Sequence, residues 1–246
     1  AKEGEMSVNS LLTKKLADMV KALDSTRPVT AGCNEPNPNN HLFRSGALDL
    51  IGFNYHDDWF AGVPEKFPGK PFIVAESVSA LMTRGYYRMP SDETVICPER
   101  WDKPYFDDSF SCSSYDNCHV PWGNSHEGTM RHVKNNDFIS GQYVWTGFDY
   151  LGEPTPYGWP ARSSYFGIVD LAGFPKDVYY LYQSEWHPEK KVLHLFPHWN
   201  WAPGQDIDMW AYYNNADEVE LFVNGESQGV RTKGKDDFHV VWRVKY

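Results

Sequence analysis

The stretch Lys70-Pro-Phe-Ile-Val-Ala-Glu-Ser-Val-Ser79 constrains this chain most. Four apolar residues, Phe72 to Ala75, run straight into the carboxylate of Glu76. A continuous apolar run that follows Gly69-Lys70-Pro71 predicts a strand buried on both faces, as in a parallel sheet. A charged group at the end of such a strand is costly unless it is paired or used. Parallel α/β enzymes that close their sheet carry their chemistry at the C-terminal strand ends. Glu76 is therefore the first candidate for a catalytic group.

Composition narrows the function classes. The net charge is −10 and the basic residues form no stripe, which argues against nucleic-acid binding. No apolar run approaches the roughly 20 residues of a membrane helix. The chain is 41% hydrophobic and 16% aromatic, with ten Trp. That supports a large core and leaves rings over for the C–H faces of sugars. It begins at Ala1 without a leader and stops at Val-Lys-Tyr246 inside a strand-like pattern, so a piece of a longer protein is expected. Cys112 and Cys118 share one polar loop, where they either bridge in an oxidising compartment or remain thiols. Cys112, Cys118 and His119 match no zinc-ligand spacing. Neither a metal nor a cofactor is expected.

Val8, Leu11, Leu12, Leu16, Met19, Val20 and Leu23 follow the 3.6 period and predict a helix over 8–23, capped by Ser7. Pro28 cannot continue it. Pro28–Gly32 and Leu48–His56 read as strands around a short helix at 39–46, and 57–70 as a loop with one helical turn. After the Glu76 strand, 81–127 is long and polar, yet its aromatics argue against disorder. A helix from His126, a strand over Phe138–Asp149 and a Tyr-rich helix over Pro175–Trp186 follow. This order predicts a parallel α/β sheet. From about 190 the pattern changes to alternating strands at 192–196, 207–213, 219–223 and 239–244. Asn224-Gly225 is a hairpin turn, and the whole predicts an antiparallel sandwich.

Several motifs, taken in order, resemble the bacterial β-galactosidase-like members of glycoside hydrolase family 2. They are Asp24-Ser-Thr-Arg-Pro-Val-Thr30, Ile51-Gly-Phe-Asn-Tyr-His56, Phe72-Ile-Val-Ala-Glu-Ser77 and Gln142-Tyr-Val-Trp-Thr-Gly-Phe-Asp149. Phe166-Gly-Ile-Val-Asp170 with Phe174-Pro-Lys176, and the tail Glu218-Val-Glu-Leu-Phe-Val-Asn-Gly225, complete the set. The resemblance implies that 1–187 are the second half of a (β/α)8 TIM barrel, strands five to eight. It implies that 188–246 begin an antiparallel Ig-like β-sandwich that the chain does not complete. By the same resemblance strand five is about 27–33, strand six 48–55, strand seven 71–76 and strand eight 138–148. The nucleophile is then Glu76, supported by Tyr55, with Trp145 in the sugar subsite.

A retaining glycosidase needs two carboxyl groups about 5–5.5 Å apart, one nucleophile and one acid/base. Glu35, in Asn34-Glu35, has the look of the second. The family places its acid/base at the end of strand four, however, and Asp24-Ser-Thr-Arg-Pro28 puts Glu35 on strand five. The acid/base is therefore expected upstream of Ala1, and residues 1–246 alone are expected to be inactive. Glu3 and Glu5 carry no assignment. Asn54, His56, Asp149 and Glu35 are candidate ligands of sugar hydroxyls, and Trp122, Tyr157 and Trp159 are candidate aromatic platforms. The family's β-glucuronidases grip a sugar carboxylate with an Asn-x-Lys motif, where this chain has Ser164-Tyr-Phe166-Gly167. A neutral sugar follows, most simply a terminal β-galactoside cleaved by an exo-acting retaining enzyme. A β-mannosidase-like activity and a non-catalytic carbohydrate-binding or scaffolding role on the same fold are the alternatives. The expected partner is an oligo- or polysaccharide, with no nucleic acid and no membrane span, and homo-oligomer formation is left open. A periplasmic or extracellular location is expected from the habits of related glycan-degrading enzymes.

Overall fold

The computed structural model describes residues 6–246; Glu3 and Glu5 lie outside them. In chain order the elements are α1 (Val8–Leu23), β1 (Gly32–Cys33), α2 (His41–Arg44), β2 (Ile51–Asn54), α3 (Val63–Lys66) and β3 (Phe72–Val78). Then come β4 (Val95–Ile96), β5 (Cys118–His119), α4 (His126–Lys134), β6 (Ile139–Trp145) and α5 (Asp177–Trp186). The last strands are β7 (Leu193–Phe196), β8 (Asp206–Tyr213), β9 (Val219–Val223), β10 (Glu226–Arg231) and β11 (His239–Lys245). The architecture is mixed α/β, a parallel sheet followed by antiparallel strands. Its residues group into two compact units. No helix among the described residues is long and apolar enough to cross a membrane.

The first unit runs to Val78 and takes in Trp122–Asn124 and Gly128–Trp145. Its centre is a four-stranded sheet in the order β1-β2-β3-β6, with every neighbouring pair parallel. Phe72 and Val74 of β3 are fully buried and pack with Ile51, Phe53, Phe60, Val63 and Phe67. Ile73 and Ala75 are only half-buried, so β3 alternates rather than being buried on both faces. β1 is shorter than its apolar pattern suggests. The Val29 amide donates to the Asp49 carboxylate and the Thr30 hydroxyl to the Leu50 carbonyl, at 2.8 and 2.9 Å. Side chains thus supply part of this segment's hydrogen bonding, beside the Asp49 amide that donates to the Val29 carbonyl, and a regular ladder starts only at Gly32.

Helix α1 forms over the predicted residues, with the Ser7 hydroxyl accepting from the Ser10 amide. It buries Ser10 and Ala17, whereas the apolar stripe that predicts it, from Val8 (80% exposed) to Leu23 (90% exposed), faces away from the described core.

The second unit comprises Ser79–Pro121, Ser125–Glu127 and Thr146–Tyr246. The long loop that opens it is ordered by burial of its rings and hydroxyls. Tyr115 is fully buried and donates to the Asp208 carbonyl at 2.6 Å, the Ser91 amide donates to the Asp208 carboxylate, and Trp210 Nε1 donates to Ser91 Oγ. Asp177, at the start of α5, accepts from Tyr87 and Ser114 and pairs with His194 at 2.8 Å. β7, β8 and β11 form an antiparallel sheet in the order β11-β8-β7. β9 and β10 form the hairpin around Asn224 (φ 52°) and Gly225 (φ 84°), the positive pair that a type I′ turn requires. Ile207, Met209, Ala211, Tyr213, Leu221, Val240, Trp242 and Val244 make the core here.

His126 is wholly buried, and its Nδ1 lies 2.7 Å from the Tyr182 hydroxyl. Burial pushes its pKa down to about 3. The unfolded chain binds this proton near pH 6.5, so stability present above that value is lost as the pH falls towards 3. Denaturant midpoints measured from pH 7 to pH 4 are expected to fall more steeply for the native protein than for His126→Gln.

Candidate active site

All four strands of the sheet are parallel, so their C-terminal ends lie along one edge. Asn54, at the end of β2, stands opposite Glu76 of β3 in register, and Val78 stands opposite Trp145 of β6. Glu76 thus lies within β3, two residues before its end at Val78, rather than beyond it. The Tyr55 amide still donates to the Glu76 carbonyl, at 2.6 Å, so β2–β3 pairing extends one residue past Asn54. Tyr55 and His56 then enter the left-handed region, at φ 58° and 57°. This reversal turns the Tyr55 ring back, and its hydroxyl donates to Glu76 Oε2 at 2.9 Å. Val78 and Ser79, at φ 76° and 60°, make the same turn after β3. Each such non-glycine residue costs about 1–3 kcal/mol, and such strain gathers at functional sites.

The two strained turns are tied together. Asp57 accepts from Asn124 Nδ2 at 2.7 Å and from the Thr129 hydroxyl at 3.2 Å, while the Asn124 amide donates to the Val78 carbonyl at 2.8 Å. Neither Asp57 nor Asn124 stands out in the sequence, because their pairing spans a long loop. Half-buried Glu76 and Tyr55 therefore sit between two anchored turns.

Asn54 Oδ1 is buried without a hydrogen-bond partner in the structure. The Asn54 side chain lies over Gly32, where a Cβ would come within 2.4 Å of Oδ1, so a side chain at position 32 would displace the Asn54 amide. His56 is half-buried, edge-on to Trp59. Glu35 is exposed in the loop after β1 and accepts from Asn40 Nδ2 at 3.1 Å. Trp145 ends β6 half-buried, and Trp122 is half-buried in the same unit.

The remaining candidates belong to the second unit. Asp149 pairs with Lys176, whose Nζ lies 2.8 Å from Oδ2 and 3.0 Å from Oδ1. The Gly167 amide also donates to Oδ1, and Lys176 donates further to the Met82 and Tyr165 carbonyls. Lys176 is 1% exposed. Burial raises the Asp149 pKa and lowers that of Lys176, and their mutual attraction opposes both shifts. Sequence pattern alone does not show this pair, since nothing marks Lys176 as buried. Tyr157 is buried among Tyr105, Phe110 and Tyr165 and donates to the Ser111 carbonyl, which is loop packing. Trp159 is 77% exposed, with the Arg162 guanidinium over its ring.

Among known proteins the chain is similar to the β-galactosidase BoGH2A of Bacteroides ovatus, at 75% identity over all 246 residues. A putative β-glucuronidase of Formosa agariphila is 32% identical over 92% of the chain. The chain spans only 29% and 23% of the lengths of these two relatives. Residues 204–246 match a family model described as a domain of unknown function, DUF4982. A crystal structure of a glycosyl hydrolase family 2 member from Bacteroides cellulosilyticus superposes with a TM-score of 0.69 at 22% identity, over 99% of this chain and 30% of that one. The fold and the whole-length identity converge on one assignment: the chain belongs to glycoside hydrolase family 2.

Proposed function

We propose that these residues form part of a retaining, exo-acting β-galactosidase in which Glu76 is the nucleophile. The observation that carries this is the Tyr55–Glu76 hydrogen bond at the C-terminal ends of adjacent parallel strands, in a chain 75% identical to a β-galactosidase. Tyr55 holds Oε2 and stabilises negative charge there, which leaves Oε1 to attack the anomeric carbon. A second carboxyl group protonates the departing glycosidic oxygen and then deprotonates the water that cleaves the glycosyl ester. Glu35 is exposed and engaged by Asn40, which supports placing that acid/base outside these 246 residues.

Asn54, with its unpaired Oδ1, is the strongest candidate to bind a sugar hydroxyl; His56 and Glu35 lie at the same edge, and Trp145 offers a ring face. Asp149, in the second unit, remains a candidate ligand of a sugar hydroxyl by the resemblance alone, and its carboxylate is engaged by Lys176 and Gly167. The same proposal reads β1, β2, β3 and β6 as strands five to eight of a (β/α)8 barrel within 1–187, and β7 to β11 as the start of an Ig-like sandwich within 188–246. Sequential parallel order supports it, as does the exposed apolar stripe of α1, which a further barrel segment would cover. Export to the periplasm or cell surface belongs to the same reading.

Treating the full-length protein with an activated 2-deoxy-2-fluoro-β-galactoside should trap a glycosyl ester on Glu76, read by peptide mass spectrometry. A label on any other residue, or faster labelling by the corresponding glucuronide or mannoside, would overturn the nucleophile or the sugar respectively. Tyr55→Phe removes a hydrogen bond to a charged group, worth about 1.5–3 kcal/mol, and should lower kcat roughly 10- to 100-fold with little change in KM.

A further inference from the structure

Three of the four cysteines meet in the long loop of the second unit. Cys97 follows β4 and Cys118 opens β5. Their Sγ atoms are 3.2 Å apart, and the residues are 1% and 3% exposed. Cys112, also buried, is the other thiol neighbour of Cys118. Sequence proximity favours pairing Cys112 with Cys118. The backbone instead pins Cys112 to Thr83, through its amide to the Thr83 hydroxyl at 3.0 Å and its carbonyl to the Thr83 amide at 2.9 Å.

The ladder joining β4 to β5 is thin. It consists of the parallel pairs Val95↔Cys118 and Ile96↔His119, continued by the Cys97 amide donating to the His119 carbonyl at 3.0 Å. A covalent link where this ladder ends would hold together two segments that little else in the ladder joins. A thiol pair offers only a weak S–H hydrogen bond in that place. A cavity of about 220 Å³ is lined by Arg88, Tyr105 and Asn117 together with all three cysteines.

We propose that Cys97 and Cys118 form a disulfide that clamps the loop between β4 and β5, and that Cys112 stays a thiol. The inference is independent of the glycosidase reading. The oxidant is a small-molecule disulfide of the glutathione type, by thiol–disulfide exchange. One protein thiolate attacks it and releases one thiol; the second protein thiolate then attacks the mixed disulfide and releases the other. Two S–H bonds and the oxidant's S–S bond break, the Cys97–Cys118 bond forms, and two small thiols leave with the two protons. The protein sulfurs lose the two electrons that the oxidant gains. The hydrogen bond with Cys118, then burial, raises the Cys97 thiol pKa, and the Cys112 contact raises that of Cys118. Thiolate is therefore scarce in the folded state, so the bond forms as the chain folds and is afterwards reduced slowly.

The test is a non-reducing peptide map of the full-length protein, refolded with glutathione disulfide and alkylated under denaturing conditions. The expected result is a linked pair of peptides carrying Cys97 and Cys118, with Cys33 and Cys112 alkylated. The same link should persist in Cys112→Ser. Full alkylation of all four cysteines, or a link from Cys118 to Cys112, would overturn the proposal. Dithiothreitol should lower the thermal midpoint of the oxidised protein and leave that of Cys97→Ser unmoved; an equal drop in both would overturn the clamp.

Discussion

Glu76→Gln in the full-length protein is expected to lower kcat on an aryl β-galactoside by roughly 10³-fold or more while the fold survives. Glutamine has the same shape, and its amide oxygen can still accept from the Tyr55 hydroxyl that now holds Oε2 at 2.9 Å. The backbone bond from the Tyr55 amide to the Glu76 carbonyl is untouched. What disappears is the negative charge. A neutral amide is a poor nucleophile, and it offers no counter-charge to the oxocarbenium-like centre that develops at the anomeric carbon. Steady-state kinetics give the size of the loss, and thermal unfolding should place the variant near the wild type. Glu35→Gln is the matched control. Its exposed carboxylate is engaged by Asn40 and should change the rate by no more than about the tenfold that one lost polar contact costs. Wild-type turnover by Glu76→Gln, or a collapse of activity in Glu35→Gln matching that expected for Glu76→Gln, would reverse the assignment of the two carboxylates.

Lys176→Met is expected to destabilise its unit by about 3–5 kcal/mol. Methionine fills a similar volume, so a large cavity is not the cause. The ammonium of Lys176 meets both oxygens of Asp149 and the carbonyls of Met82 and Tyr165. Removing it strands a carboxylate whose side chain is only 10% exposed, together with two carbonyl acceptors. Breaking one half of a buried ion pair costs far more than the intact pair contributes, because the remaining charge stays desolvated. The variant Lys176→Met/Asp149→Asn removes that stranded charge and should recover part of the loss. Urea denaturation of wild type, single and double variants measures this directly. Equal stability of the wild type and the single variant would show that water reaches the pair.

The candidate site was unevenly legible in the sequence. Glu76 could be named because it follows an apolar run, whereas Tyr55 was implied only by the family resemblance. The Asn124–Asp57–Thr129 anchor carries no such mark, since its three residues sit in polar stretches and meet only across a long loop. Lys176 was hidden for a similar reason: a lysine before a helix normally reads as solvated. The helix at 8–23 was predicted to the residue, yet the face it covers was not, because periodicity reports that a helix has an apolar side and not what lies against it. The strand β10 was missed because Glu226–Arg231 holds little apolar surface and is a strand mainly through pairing with β9.

By itself, then, the amino-acid sequence determined the elements, their parallel and then antiparallel character, and the carboxylate on which the chemistry is expected to turn. These follow from local rules: hydrophobic period, proline and glycine punctuation, and the cost of burying charge. Only the tertiary structure decided that Tyr55 reverses its backbone to reach Glu76, that Asp149 is held by a buried lysine, and that Cys118 meets Cys97 as well as its nearer neighbour in the chain. Those contacts join residues separated by between 21 and 27 positions. Their energy depends on distance and solvent exclusion in space, and no local pattern along the chain records either quantity.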